Sequence, residues 1–305
     1  MHRTKAVLSL AMLYATIGSV SAAEFSGTEA LAFTRRAVSF GPRPSGSPAI
    51  RKLQGYILGE LKLLGCQVTE DDFTATTPLG KTSMKNIIAR FPGKSGKAVV
   101  FTGHYDTKSM PLISFVGAND GGSSTGFLLQ MAKALRGGSR QDDVYVVWLD
   151  GEEAVGQWSD YDSLYGSRHL AERWAADGTL ARIKALINVD MIGDRDLHIL
   201  EDLNSSAPLR EMVWRTADRL GYGSHFLKDH GAIEDDHMPF IRRGVSALDL
   251  IDYDYGPDNS YWHTEQDTMD KLSAESFQIV GRVLLETLKE LESDGEIDGR
   301  NHRRR

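Results

Sequence analysis

Four residues have the types and spacing to hold a metal ion and move a proton. Asp120 sits in Gly117-Ala-Asn-Asp-Gly-Gly122, Glu152 and Glu153 are adjacent, and His263 lies in Trp262-His-Thr264. A hydrolytic or acyl-transfer zinc site needs about three protein ligands and one open coordination position. It also needs a proton acceptor that is close to the metal but does not bind it. Adjacent residues leaving a strand point in different directions, so one of Glu152 and Glu153 could bind while the other carries protons. Each residue also has an ordinary role open to it. Asp120 could cap a helix, the glutamate pair could be a solvated acidic face, and His263 could be a satisfied histidine. Asp190 is harder to set aside, because it ends the apolar run Ala185 to Val189, where a carboxylate is seldom buried without a partner.

The elements that must position these residues alternate between strand-like and helix-like patterns. Helical periodicity covers Gly27 to Val38, Pro48 to Leu64, Gly122 to Arg136, Leu164 to Ala176, Ala207 to Leu220 and Ser273 to Leu291. Apolar strand-like runs occupy Asn86 to Phe91, Ala98 to Thr102, Asp143 to Leu149, Ala185 to Val189 and Ala247 to Ile251. This alternation predicts a single α/β domain with a mostly parallel, mixed central sheet and helices on both faces. His104 and Asp106 follow one strand, Glu152 and Glu153 a second and Asp190 a third. Three strands therefore deliver acids or imidazoles at their carboxyl ends, the edge where open α/β sheets build ligand sites. Scattered acids would instead decorate helix surfaces.

Composition narrows the class further. The formal charge is −7, which argues against a nucleic-acid partner. Arg3 and Lys5 precede an apolar run from Ala6 to Ile17 and the small-residue stretch Gly18 to Ala23, the order of a secretory signal peptide. That run is shorter than the roughly 20 residues a membrane span needs. Residues 1–23 are therefore expected to be an export leader, 24–293 the catalytic domain and 294–305 a flexible polar tail, with the mature chain periplasmic or secreted. Cys66 is the single cysteine, so no intrachain disulfide is available, and it is expected as a small buried hydrophobe opening a strand.

The motifs resemble those of the zinc aminopeptidase-like superfamily: His104-Tyr-Asp106, Gly117-Ala-Asn-Asp120, Gly151-Glu-Glu153, Val189-Asp190 and Trp262-His-Thr264. A narrower resemblance, to the animal-type glutaminyl-peptide cyclotransferases, rests on Asp150-Gly-Glu-Glu-Ala154 with Trp158, on Asp162-Ser-Leu-Tyr-Gly-Ser-Arg-His-Leu170, and on Asp235-Asp-His-Met-Pro-Phe240. It implies one zinc held by Asp120, Glu153 and His263, with Glu152 as the proton shuttle. It also implies Asp190 and Asp235 as a supporting hydrogen-bonded pair, and Trp158, Trp262 and Ile233 as the walls of a pocket for the substrate's first side chain. The reaction implied is cyclisation of an N-terminal glutamine of a peptide or protein to pyroglutamate, with release of ammonia.

The same resemblance leaves a second activity open. Gly117-Ala-Asn-Asp-Gly-Gly-Ser123 looks like the peptidase form of its motif, and His104 with Asp190 could hold a second metal bridged by Asp120. The protein would then be a two-metal aminopeptidase. The cyclotransferases also usually carry Gln where Glu234 stands, and the exported animal ones have a cysteine pair near the metal-binding Asp that is missing here. No proposed ligand or base is absent, which argues against a catalytically silent binding protein.

Overall fold

The apolar runs become strands because they are buried on both sides. In the computed structural model, which describes residues 24–301 and the side chains of 24–293, β3 (Ala98–His104) and β4 (Asp143–Leu149) are buried at every position. With β5 (Ile183–Asp190) and β8 (Ala247–Ile251) they form a parallel block. The antiparallel hairpin β1 (Gln67–Thr77) and β2 (Gly80–Phe91) extends it on the β4 side. The order across this six-stranded sheet is β1-β2-β4-β3-β5-β8.

Side chains alternate between the two faces along each strand. Val99, Phe101, Val144, Val146 and Trp148 pack under α1 (Gly27–Val38), α2 (Pro48–Leu61), α3 (Gly122–Ala134), α5 (Ala207–Arg219) and α7 (Ala274–Asn301). Ala98, Val100, Tyr145 and Val147 face α4 (Tyr165–Ala176) and the short α6 (Met238–Ile241). The expected α/β class, with helices on both faces, is what forms.

Several boundaries and elements differ from the sequence expectation. The hairpin was visible only from Asn86 onward, because β1 is an edge strand of Thr, Glu and Asp residues, mostly exposed and lacking an apolar rhythm. A second, two-stranded parallel sheet joins β6 (Ile199–Asp202) to β7 (Phe226–Gly231). Helix α7 continues past Leu291 to Asn301, into the segment expected as a polar tail. Cys66 is half-buried and immediately precedes β1. The expected export leader lies outside the described residues. Among the described residues no helix is long and apolar enough to cross a membrane.

The chain order creates a crevice. From β3 the connection runs through α3 to β4 on one side, whereas β5 lies on the other side and leads on to β8. Connections that depart in opposite directions leave a gap at the carboxyl ends of β3 and β5. His104 and Asp190 are the last residues of those two strands.

Helices α1 and α3 cross closely at Gly126, where an added Cβ would lie 2.1 Å from Thr34 Oγ1 and 2.6 Å from Ala30 O. Gly126→Ala is expected to lower stability by about 1–3 kcal/mol through overpacking, read as a lower urea midpoint. An unchanged midpoint would refute this contact.

Candidate active site

Each candidate residue is held by the end of a strand or by a hydrogen-bonded loop. Asp120 does not cap α3. The cap position is Gly121, at φ +73°, where a Cβ would come within 2.3 Å of Asp106 O and 3.0 Å of the His104 ring, so only glycine fits. This frees the Asp120 carboxylate for the crevice. Its backbone is gripped by Asp267, whose carboxylate accepts from Asn119 N at 2.8 Å and Asp120 N at 3.1 Å, and from the Tyr255 hydroxyl at 2.8 Å. The buried Arg43 guanidinium donates to Gly117 O at 2.8 Å and to Tyr105 O at 3.0 Å, fixing the start of the same loop. Asp106 plays the matching part for the glutamate pair, accepting from Glu152 N and Glu153 N at 3.2 and 3.4 Å.

These supports bring the predicted ligands together. His263 Nε2 lies 3.1 Å from Asp120 Oδ2 and 3.0 Å from Glu153 Oε1. The Lys108 ammonium takes the other Glu153 oxygen at 3.2 Å. His263 adopts φ +54°, a strained conformation for a residue with a Cβ. Its ring is stacked on Trp262 at 4.1 Å and meets the edge of Phe115 at 5.6 Å. Met191, directly after Asp190, is also at positive φ. A second group shares Asp120, with His104 Nε2 lying 3.2 Å from Asp120 Oδ1 and 3.1 Å from Asp190 Oδ1. In each trio the ligand atoms lie within 4.8 Å of one another.

The donor chemistry fits a divalent cation. One imidazole nitrogen and two carboxylate oxygens converge at the first trio, and Asp120 Oδ2 is buried with no hydrogen bond. Burial lowers the His263 pKa, but Asp120 and Glu153 outweigh it and raise it to about 9. Burial pushes the Glu152 carboxyl well above its ordinary range; His104 opposes the rise, and Glu153, Asp235 and Asp236 add to it. Asp190 is raised to about 7 by burial, against His104 and with Asp235. So much buried negative charge needs either protons or a metal to offset it.

Asp190 and Asp235 both approach the site, and each has a partner of its own. Asp190 pairs with His104, and Asp235 accepts from Asn188 Nδ2 at 2.8 Å and from Asp236 N. The supporting donors form a rung across three strands in register. Thr102 Oγ1 donates to Asn188 Oδ1 at 2.9 Å, and Asn188 Nδ2 donates to Asp249 Oδ1 at 3.1 Å as well as to Asp235. Sequence reasoning missed this rung, although three polar residues inside buried strands were a visible signal.

The expected walls, Trp158, Trp262 and Ile233, line a cavity of about 450 Å3 that also contains all three ligands of the first trio, Glu152, Asp190 and Asp235. Lys108, Met191, Ile251 and Tyr253 line it too and were not foreseen. Tyr253 packs against Trp262 with ring centroids 5.3 Å apart. Lys108 closes the His104-Tyr-Asp-Thr-Lys108 motif, and Tyr253 stands two residues beyond β8, so both had positional signals.

The pattern of Peptidase family M28 matches residues 86–288. Glutaminyl-peptide cyclotransferase of Drosophila melanogaster is 31% identical over 258 residues, covering 74% of this chain and 70% of that protein. The chain belongs to the glutaminyl-peptide cyclotransferases of family M28. The crystal structure of Acidobacteriales bacterium glutaminyl cyclase superposes with a TM-score of 0.87 at 42% identity, over 93% of this chain and 100% of that one. A Zn-dependent exopeptidase from Parabacteroides distasonis also superposes, with a TM-score of 0.79 at 28% identity, over 88% of this chain and 99% of that one.

Two predictions concern the buried polar groups. Asn188→Leu removes the Nδ2 donor to Asp235 and Asp249 and the acceptor of the Thr102 hydroxyl, and is expected to cost about 2 kcal/mol or more, measured by denaturant unfolding; a neutral result would dissolve the rung's role. Asp252 accepts from His198 N at 2.9 Å, while its other oxygen is unpartnered, and burial beside Asp194 and Asp254 pushes its carboxyl up to about 8. A folded pKa above the unfolded value opposes folding progressively as pH rises from about 4 to about 8. Asp252→Asn keeps the acceptor for His198 N. Its stability relative to wild type should grow across that window and level off above it, and a pH-independent difference would contradict this assignment.

Proposed function

We propose that this protein is a zinc-dependent cyclotransferase that converts the N-terminal glutamine of peptides or proteins to pyroglutamate and releases ammonia. The observation that carries this reading is the placement of Glu152, buried and proton-avid, beside the Asp120–Glu153–His263 trio in an aromatic-walled cavity. The glutaminyl cyclase relatives support it. Residues 24–293 would be the catalytic domain of an exported enzyme whose leader is residues 1–23.

Asp120, Glu153 and His263 would hold one zinc ion. When bound there, zinc supplies a Lewis acid that polarises the side-chain carboxamide of the substrate glutamine. Glu152 accepts a proton from the substrate's α-amine as the bond from that nitrogen to the δ-carbon forms. It returns the proton to the departing nitrogen as the carbon–nitrogen bond of the carboxamide breaks, so ammonia leaves without a water molecule being consumed. Burial and the neighbouring acids strengthen Glu152 as a base. His104, whose Nδ1 lies 4.0 Å from Glu152 Oε2, is held by Asp190, and Asn188 holds Asp235. Trp158, Trp262 and Ile233 wall the pocket that binds the glutamine side chain, and the enclosed cavity as a whole holds the carboxamide against the amine and keeps water out, so that proximity contributes to the rate.

The His104–Asp120–Asp190 trio favours a second reading, a two-metal aminopeptidase in which Glu152 activates water. Mass spectrometry of a Gln-initiated and a Leu-initiated peptide incubated with zinc-loaded protein separates the two. Loss of one ammonia from the first peptide, with the second untouched, is expected; free leucine from the second without cyclisation of the first would overturn the proposal. Glu152→Gln is expected to lower kcat by about 10²–10⁴-fold with zinc content unchanged by elemental analysis.

A further inference from the structure

Between Glu153 and α4 the chain forms a loop with almost no regular structure, closed at its base. Leu164 N donates to Glu152 O at 2.8 Å and Tyr165 N to Gly151 O at 2.7 Å. Trp158 lies on this loop. It is 44% exposed, so core packing does not hold it in place against the cavity. Its position follows from the loop backbone, and that backbone is organised around one buried side chain. The Asp162 carboxylate accepts from the amides of Val155, Gly156 and Gln157 at 2.9, 2.7 and 2.9 Å and from the Tyr165 hydroxyl at 2.7 Å. Asp162 N in turn donates to Ser159 O at 3.1 Å and lies 3.2 Å from its hydroxyl, drawing in the far side of the loop.

Three successive amides converging on one carboxylate make a concave anion nest. Here the anion comes from the chain itself. The convergence ends at Gln157, one residue before Trp158. We propose that Asp162 is a positioning residue of the substrate pocket: its carboxylate gathers the Val155–Gln157 amides and thereby fixes where the Trp158 ring stands. The proposal rests on the reading of Trp158 as a wall of the substrate pocket. Glu152 and Glu153 are held separately, by Asp106 at their backbone and by Lys108 at the Glu153 carboxylate. Disturbing the nest should therefore weaken substrate binding and spare the chemical step.

The test is steady-state kinetics on whichever of the two peptides the wild type converts, for Asp162→Asn, Tyr165→Phe, Trp158→Ala and the pairwise combinations with Trp158→Ala. An amide at position 162 loses one acceptor oxygen and points N–H groups at N–H groups. Asp162→Asn should raise KM about tenfold, leave kcat within about threefold and keep the zinc content of wild type. Tyr165→Phe removes one hydrogen bond to the same carboxylate and should raise KM less; it carries the comparison if Asp162→Asn does not fold. Once Trp158 is Ala, neither substitution should raise KM further. A KM increase that multiplies with that of Trp158→Ala, or a fall in kcat at unchanged KM, overturns the proposal while leaving the pocket reading intact. An unchanged KM for Trp158→Ala removes the pocket reading itself.

Discussion

The arrangement of this protein depends on burying many carboxylates where parallel strands end. Burying charge without compensation is expensive, yet Asp106, Asp120, Glu152, Glu153, Asp190 and Asp235 are all buried around one crevice. Several forms of compensation are present. Asp106 and Asp267 spend their oxygens on backbone amides, which fixes the two loops that carry Asp120 and the glutamate pair. Lys108, His104 and the buried Arg43 supply positive charge. What remains is the environment that raises the pKa of Glu152 and suits a bound cation.

This constraint explains why so much of the site is backbone engineering. Gly121 supplies a left-handed turn that no side chain would fit, and His263 and Met191 hold strained left-handed conformations next to the buried acids. The Thr102–Asn188–Asp249 rung belongs to the same logic, a polar line through otherwise apolar strands that supplies Asp235 with a donor from behind. Around this rigid centre Trp158, Ile233 and Trp262 line the cavity from loops, where a side chain can vary without disturbing the trio of Asp120, Glu153 and His263. A fold shared by glutaminyl cyclases and a Zn-dependent exopeptidase fits that division.

The sequence was most legible where burial is complete. The strands β3, β4, β5 and β8 read as apolar runs because both faces are covered, and the acids that follow them announced the site. Legibility failed where tertiary contacts replace local pattern. The polar edge strand β1 is stabilised by pairing with β2, and β6 and β7 by pairing with each other, so none needs an apolar rhythm. Lys108 and Tyr253 carried positional signals but no chemistry that singled them out before the cavity closed around them. Asp190 takes its partner from His104 and Asp235 from Asn188, contacts that no local pattern in the chain announces.

From sequence alone came the α/β class, the strand-end location of the acids and Asp120, Glu152, Glu153 and His263 as candidates, because periodicity and residue type are local properties. Only the tertiary structure decided that His263, more than a hundred residues from the others, meets Asp120 and Glu153 within about 3 Å, that Asp120 is released from capping by Gly121, and that Asp162 gathers the loop bearing Trp158. Those outcomes depend on distances between segments remote in the chain, which burial and hydrogen bonding set only when the whole sheet and its loops close together.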